Sequence, residues 1–362
     1  MAAPSSRMLW IDFAKGLLMI LVFVYHSEVI YGNGHSWSWL FEMFFLTGFF
    51  TLSGYLFTAD LDKVSFQRKA LQTLRGVVIP YLIFTIVLLI PRLILVLDNP
   101  KQAIIDIVLF RASWFVNVIA MLTLLFSGVI ILFKNRNMAL HLITIASVII
   151  SYLFVILYRW QPEWVMEPMF WNSTILPNHM PFCINLTFMA APFYSLGIYY
   201  RLYLERKYDC STWGKCLIVW VLYFALMFID HATVSSSLVF AVNTMKNVPL
   251  VYLYSIIAII GVVMFSKLIG EVKVVNYIGQ NSIIFYFLNA LMLRVVSLVV
   301  SKLNLTGILA GGGIFSEVLV ALLAVALTFP VVWTIKKHLA IVVGNKDSFN
   351  KLSRKLGWNI NW

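Results

Sequence analysis

Ten apolar runs, each near the roughly 20 residues that a helix needs to cross a bilayer, dominate this 362-residue chain. They lie near 9–31, 38–57, 76–97, 114–133, 139–158, 181–200, 216–234, 249–269, 281–300 and 314–335. The seventh is the least regular, being broken by Asp230 and His231. With 61% hydrophobic and 12% charged residues and a mean hydropathy of +0.90, the chain has too little polar surface to coat a soluble globule. The expected fold class is an all-α integral membrane protein of about ten transmembrane helices.

Cytoplasmic loops retain Lys and Arg, so the basic residues give an orientation. Most of the 27 fall in alternate loops: Arg7, the 58–75 loop with Lys63, Arg68, Lys69 and Arg75, Lys134 and Arg136, the 201–215 group, Lys267 and Lys273, and the C-terminal tail. Both termini are therefore expected to be cytoplasmic. The net charge of +12 follows from that topology and from anionic headgroups, with no nucleic acid implied. Residues 1–340 are read as one polytopic membrane domain and 341–362 as a basic cytoplasmic tail.

The first run is expected to stay uncleaved, because it is too long for a signal peptide, Lys15 interrupts it, and no convincing cleavage site follows. Cys183, Cys210 and Cys216 are scattered and have no metal-ligand spacing, so neither a disulfide framework nor a metal site is expected. With no soluble domain, any chemistry must be done by the helices and short loops.

The first run, "WIDFAKGLLMILVFVYH" (10–26), carries Asp12 and Lys15 near one end and His26 near the other. At about 100° per residue, Lys15 and His26 fall on one stripe, about 16 Å apart along the axis. Ionisable groups inside a span are costly and usually face a bundle interior or a watery cavity, which favours a functional role. The alternative is that Lys15 snorkels to the headgroups and His26 satisfies a buried hydrogen bond.

The spacing of Arg7, Asp12, Lys15-Gly16 and His26 resembles the N-terminal signature of acyltransferase family 3, in particular its fucose 4-O-acetylase-like branch. "FFTLSGYLF" (49–57), "LRGVVIPYLIF" (74–84), "SWFV" (113–116), "APFYSLGIYYR" (191–201) and "YIGQNSIIFYFLN" (277–289) resemble later motifs in the family's order. The resemblance implies a membrane O-acyltransferase of the bacterial inner membrane. It would move an acetyl group, or another short acyl group, from acetyl-CoA as co-substrate to a hydroxyl of an envelope polysaccharide or its lipid-linked precursor.

By the same resemblance, His26 acts on the acceptor hydroxyl. A neutral imidazole can take that proton as the oxygen attacks the thioester, or can itself be acylated first. Lys15, Arg75, Arg68 and Lys69 are expected to bind the donor, whose phosphates need cations; the loop cations also satisfy the positive-inside rule alone. Asp12 can pair with Lys15 across one turn. Ser53, Trp114, Ser282 and Asn289 carry over as supporting positions. The chain departs from the family twice: Gln72 replaces the first of two arginines common in this loop, and Asn289 stands where many members have His, so no second essential His sits there.

The acceptor is expected outside, at Trp160, Trp164, Trp171 and His179 in the 159–180 loop, with Asp230 and His231 nearby; interfacial anchoring and helix capping are the competing roles. Two other classes stay open on the sequence. A proton-coupled secondary transporter would use Lys15 and His26 as a relay, although no paired interrupted helices are seen. A non-catalytic subunit of a polysaccharide assembly machine would need no catalytic His.

Overall fold

In lipid every backbone polar group must be satisfied within the protein, and long apolar helices do this locally. The computed structural model describes residues 8–31, 37–57, 60–95, 100–160, 180–208, 211–305 and 313–356. Among them ten helical stretches are long and apolar enough to span a membrane. The chain is an all-α integral membrane protein.

In chain order, α1 (Leu9–Tyr31) is followed by a 3-10 turn at Ser38–Leu40 and α2 (Phe45–Phe57). Next come α3 (Phe66–Thr73), a π-turn (Leu74–Val78), α4 (Ile79–Leu95), α5 (Pro100–Val108), α6 (Trp114–Leu132) and α7 (Arg136–Trp160). Helix α8 (Ile184–Tyr199) continues through a second π-turn (Tyr200–Leu204) into Glu205–Tyr208. Then follow α9 (Trp213–Thr233), α10 (Val248–Ile269), α11 (Lys273–Gln280), α12 (Ser282–Lys302), α13 (Ile314–His338) and α14 (Lys346–Lys355). A two-stranded hairpin, β1 (Ser237–Val239) and β2 (Thr244–Lys246), links α9 to α10.

These elements form two compact units, Met1–Leu52 with Tyr208–Ser237 and Pro249–Val332, and Ser53–Lys207 with Leu238–Val248 and Trp333–Trp362. In the first, α1 packs on α11 and α12. The crossing of α1 and α11 is close enough that a Cβ at Gly279 would lie 1.8 Å from the Asp12 carbonyl oxygen, and one at Gly16 would lie 2.0 Å from that of Val275. Small residues at such crossings let backbones touch where lipid supplies no hydrophobic drive. Asn276 locks the register by donating from Nδ2 to the Leu9 carbonyl at 2.8 Å. Around this seam Phe23, Phe285 and Phe329 pack edge to face.

In the second unit, α6, α7 and α8 pack side by side. Its loop before α6 is held by a fully buried ion pair, Arg111 Nη2 to Asp106 Oδ1 at 2.7 Å, and by Asn117, which donates to the Phe110 and Ala112 carbonyls. Gly54 of α2 approaches α8 so closely that a Cβ there would lie 1.9 Å from the Tyr194 carbonyl oxygen.

Both close approaches involve backbone on each side, so neither relaxes by rotating a side chain. Gly279→Ala is expected to destabilise the chain by at least the 1–3 kcal/mol typical of overpacking. The check is thermal unfolding in detergent by size-exclusion profile; a variant that melts with the parent would show that α11 moves aside freely.

Candidate active site

Helix α1 carries the first part of the site. His26 is half-buried, with Nδ1 2.7 Å from the Val22 carbonyl oxygen one turn before it. A carbonyl oxygen only accepts, so Nδ1 holds the ring proton and Nε2 the basic lone pair of the neutral imidazole. The Tyr25 ring stands edge-on to His26 at 5.5 Å and stacks on Phe45 at 5.1 Å. At the other end of α1, Asp12 is buried and accepts from Gln280 Nε2 at 3.3 Å, and Lys15 is half-buried one turn on.

Sequence reading passed over three buried carboxylates in this unit. Glu28 is fully buried, Glu317 is 2% exposed and Glu42 is 8% exposed. Glu28 lies near Ser38 and Trp37, and it feels the charge of Glu317. Ser27 Oγ donates to the Glu317 carbonyl at 2.8 Å, tying α1 to the start of α13. Glu317 Oε2 is buried with no hydrogen-bond partner among the described residues. Glu42 acts electrostatically on Tyr25, the ring that touches His26. The available signal was an acidic residue inside an apolar run, the feature that singled out Asp12.

Of the cations expected to bind the donor, Lys15 lies in the first unit, while Arg68, Lys69 and Arg75 lie in the second and fall into different settings. Lys69 donates to the Phe57 carbonyl and sits 4.3 Å over the Phe57 ring. Arg201 Nη1 donates to the Tyr55 carbonyl at 2.8 Å, with its guanidinium 5.0 Å from the Tyr55 ring. Both therefore cap the end of α2, where the last carbonyls lack intrahelical partners. The Tyr55 hydroxyl lies 2.9 and 2.7 Å from the two carboxylate oxygens of Glu205. Arg68 is exposed, and its charge and that of Arg201 reach Lys69.

Arg75 differs from these. It lies in the π-turn Leu74–Val78, and its Nε and Nη1 are buried with no hydrogen-bond partner among the described residues. Burying guanidinium donors without an acceptor is costly, and a bound anion would relieve that cost. π-turns recur at functional sites.

The family model described as an acyltransferase domain, that of acyltransferase family 3, matches residues 8–337. The chain belongs to acyltransferase family 3. No curated protein and no solved structure matches it.

Other residues of this acyltransferase that the sequence singled out have mainly structural surroundings. Asp230 is buried at the end of α9, accepting from the Ser236 backbone at 2.6 Å, the Ser236 hydroxyl at 2.7 Å and the Tyr254 hydroxyl at 3.2 Å. His231 stacks on Trp39 at 4.3 Å. Asn289 is buried, with Nδ2 donating to the Tyr286 carbonyl at 2.8 Å along its own helix. Ser282 opens α12, and Ser53 lies half-buried in α2. Trp114 opens α6 and stacks on Phe240 at 6.1 Å. Trp160 ends α7, while Trp164, Trp171, His179, Arg7 and Cys210 lie outside the described residues. Cys183 and Cys216 are buried free thiols.

An open cleft of about 590 Å³ in the second unit is lined by Asp60, Asp62, Lys134, Arg136 and Tyr203, among others. Its carboxylates are already engaged. Lys63 at 3.1 Å and the Asp62 N–H hold Asp60 below the usual carboxylate pKa, and Arg136 approaches Asp62 at 3.8 Å.

Proposed function

We propose that this membrane acyltransferase is an O-acetyltransferase, moving acetyl or another short acyl group from cytoplasmic acetyl-CoA to a sugar hydroxyl of an envelope polysaccharide or its lipid-linked precursor. The observation that carries the reading is the His26 hydrogen bond to Val22, which leaves Nε2 as the basic nitrogen. Nε2 takes the acceptor hydroxyl proton as the oxygen forms its bond to the thioester carbonyl carbon. The C–S bond then breaks, and the imidazolium returns the proton to the departing thiolate, so one hydroxyl and one thioester become one ester and one thiol. If Nε2 attacks the carbonyl first, the same proton balance holds over two steps.

Arg75 is the residue best suited to the donor's phosphates, because its buried donors gain an acceptor when an anion binds. Lys69 and Arg201 contribute positive potential from the end of α2, and Arg68 from solvent. Lys15, with Asp12 one turn before it, sets the charge at the other end of the α1 stripe from His26. Acceptor contacts are assigned to the aromatic and polar residues of the 159–180 loop.

The experiment is transfer by purified protein in nanodiscs, with radiolabelled acetyl-CoA and a lipid-linked glycan extract from an envelope-building bacterium. Label in the glycan that survives as a base-labile ester is the expected result. Absence of both acetyl-CoA binding and glycan label would overturn the reading.

The orientation is tested separately. With both termini cytoplasmic in a bacterial inner membrane, fluorescent-protein fusions at either end should glow and alkaline phosphatase fusions there should be silent. The reverse pattern would put the donor cations on the wrong side.

A further inference from the structure

We propose that Gly344 is a positioning residue for the donor site, and that the C-terminal segment 339–356 serves as its backstop rather than as a loose basic tail. The proposal rests on the reading of Arg75 as a donor ligand. Gly344 and α14 lie past residue 337, where the family match ends, so nothing in that match assigns them a role.

The geometry is direct. After α13 the chain makes a 3-10 turn, Ala340–Val343, and reaches Gly344 with φ +72°. There a Cβ would lie 2.4 Å from the Arg75 carbonyl oxygen, 2.9 Å from Gly76 Cα and 3.1 Å from the Arg75 carbonyl carbon. The contact is backbone against backbone, at the one residue of the π-turn whose buried guanidinium nitrogens have no hydrogen-bond partner among the described residues. A π-turn replaces the i→i−4 ladder with wider i→i−5 bonds, so its shape depends on what packs beside it.

The segment behind the glycine is anchored. Asn345 N donates to the Ala340 carbonyl at 3.2 Å, and Asn345 Oδ1 caps α14 by accepting from Ser348 N at 3.0 Å. Phe349 is buried at 5% exposure and Ser353 at 3%, on the same face of α14. A firmly seated segment therefore presses its one side-chain-free residue onto the carbonyl of Arg75. Any side chain at 344 must displace either the segment or the turn, and moving the turn re-aims the guanidinium.

Full-length protein in nanodiscs tests this with coenzyme A binding and with acetyl-CoA kinetics. Gly344→Ala and Gly344→Asn are both expected to weaken coenzyme A binding and raise the acetyl-CoA KM about tenfold, with kcat at saturating donor within about threefold of the parent. Asn tolerates positive φ better than Ala, so an Asn variant that binds like the parent would mean only backbone strain matters, and would overturn the proposal. Gly270→Ala is the control: its φ is +71° but a Cβ there meets nothing within 4 Å, so donor binding should be unchanged.

The double variant Arg75→Ala/Gly344→Ala should bind coenzyme A no more weakly than Arg75→Ala alone, because Gly344 acts through Arg75. Additive losses would overturn the proposal. If Arg75→Ala itself leaves binding unchanged, the donor reading fails; if Arg75→Ala weakens binding and the Gly344 variants do not, the backstop fails alone. Hydrogen exchange in the unaltered protein covers variants that do not fold. Coenzyme A should slow exchange of amides 340–356, and unchanged rates there under saturating coenzyme A would refute the coupling.

Discussion

Replacing His26 by Ala is expected to cut acyl transfer by about 10²–10⁴-fold, the range for loss of a general base, while the protein stays folded and keeps its affinity for coenzyme A. The fold should tolerate the change because the imidazole's hydrogen bond to the Val22 carbonyl, at 2.7 Å, lies within α1 and so ties no two helices together. That carbonyl already serves the helical ladder. His26→Asn is the sharper variant, since its amide can still donate toward Val22 but offers no basic nitrogen. Both variants should be equally inactive. Turnover within tenfold of the parent by either one, measured with labelled acetyl-CoA, would remove His26 from the chemistry.

Arg75→Ala should raise the dissociation constant for coenzyme A about tenfold or more, because a charge-assisted contact contributes about 1.5–3 kcal/mol and 1.4 kcal/mol is a factor of ten. Arg75→Lys should restore only part of this loss, as an ammonium lacks the planar fork that a guanidinium offers to phosphate. Stability should move the other way. In the ligand-free protein Nε and Nη1 of Arg75 are buried with no hydrogen-bond partner among the described residues, so deleting them should leave the melting temperature unchanged or higher. Coenzyme A should then stabilise the parent but not the variant. A lower melting temperature with unchanged coenzyme A affinity would make Arg75 a structural residue.

The sequence made the helices plain because their signal is local. The run at 9–31 coincides with α1, and that at 114–133 differs from α6 by one residue. The third run was read from 76 because Gln67, Arg68, Lys69, Gln72 and Arg75 are polar. The helix in fact begins at Phe66, since a segment with one apolar face continues a span without being apolar all round. The second run hid a 3-10 turn before α2, and Pro100–Val108, Lys273–Gln280 and Lys346–Lys355 are helices too short or too polar for a span-length window.

Candidate site residues could be picked out where chemistry stands out against an apolar background, as at Asp12, Lys15 and His26. Elsewhere it depended on distant partners. Nothing local distinguishes Lys69, engaged at the end of α2, from Arg75, which buries two guanidinium nitrogens in a π-turn. Glu28 and Glu317 are 289 positions apart in the chain, and only the packing of α1 against α13 shows that their charges meet.

The two π-turns also act on helical phase. Each accommodates about one residue more than the α-ladder would, so side chains beyond it are rotated by roughly 100° relative to an uninterrupted helix. Ile86, Val87 and Ile90 in α4, about half exposed as lipid-facing residues should be, owe that heading to the extra residue at Leu74–Val78. Deleting a single residue from this stretch would let the turn close into the α-ladder and leave that greasy face pointing as before, whereas the same deletion between the turn and Ile86 would rotate it by about 100°. In this chain a one-residue deletion at 74–78 or 200–204 is therefore absorbed where it occurs, while the same deletion in the flanking α-helical stretches rotates everything downstream in the span unless an insertion compensates it.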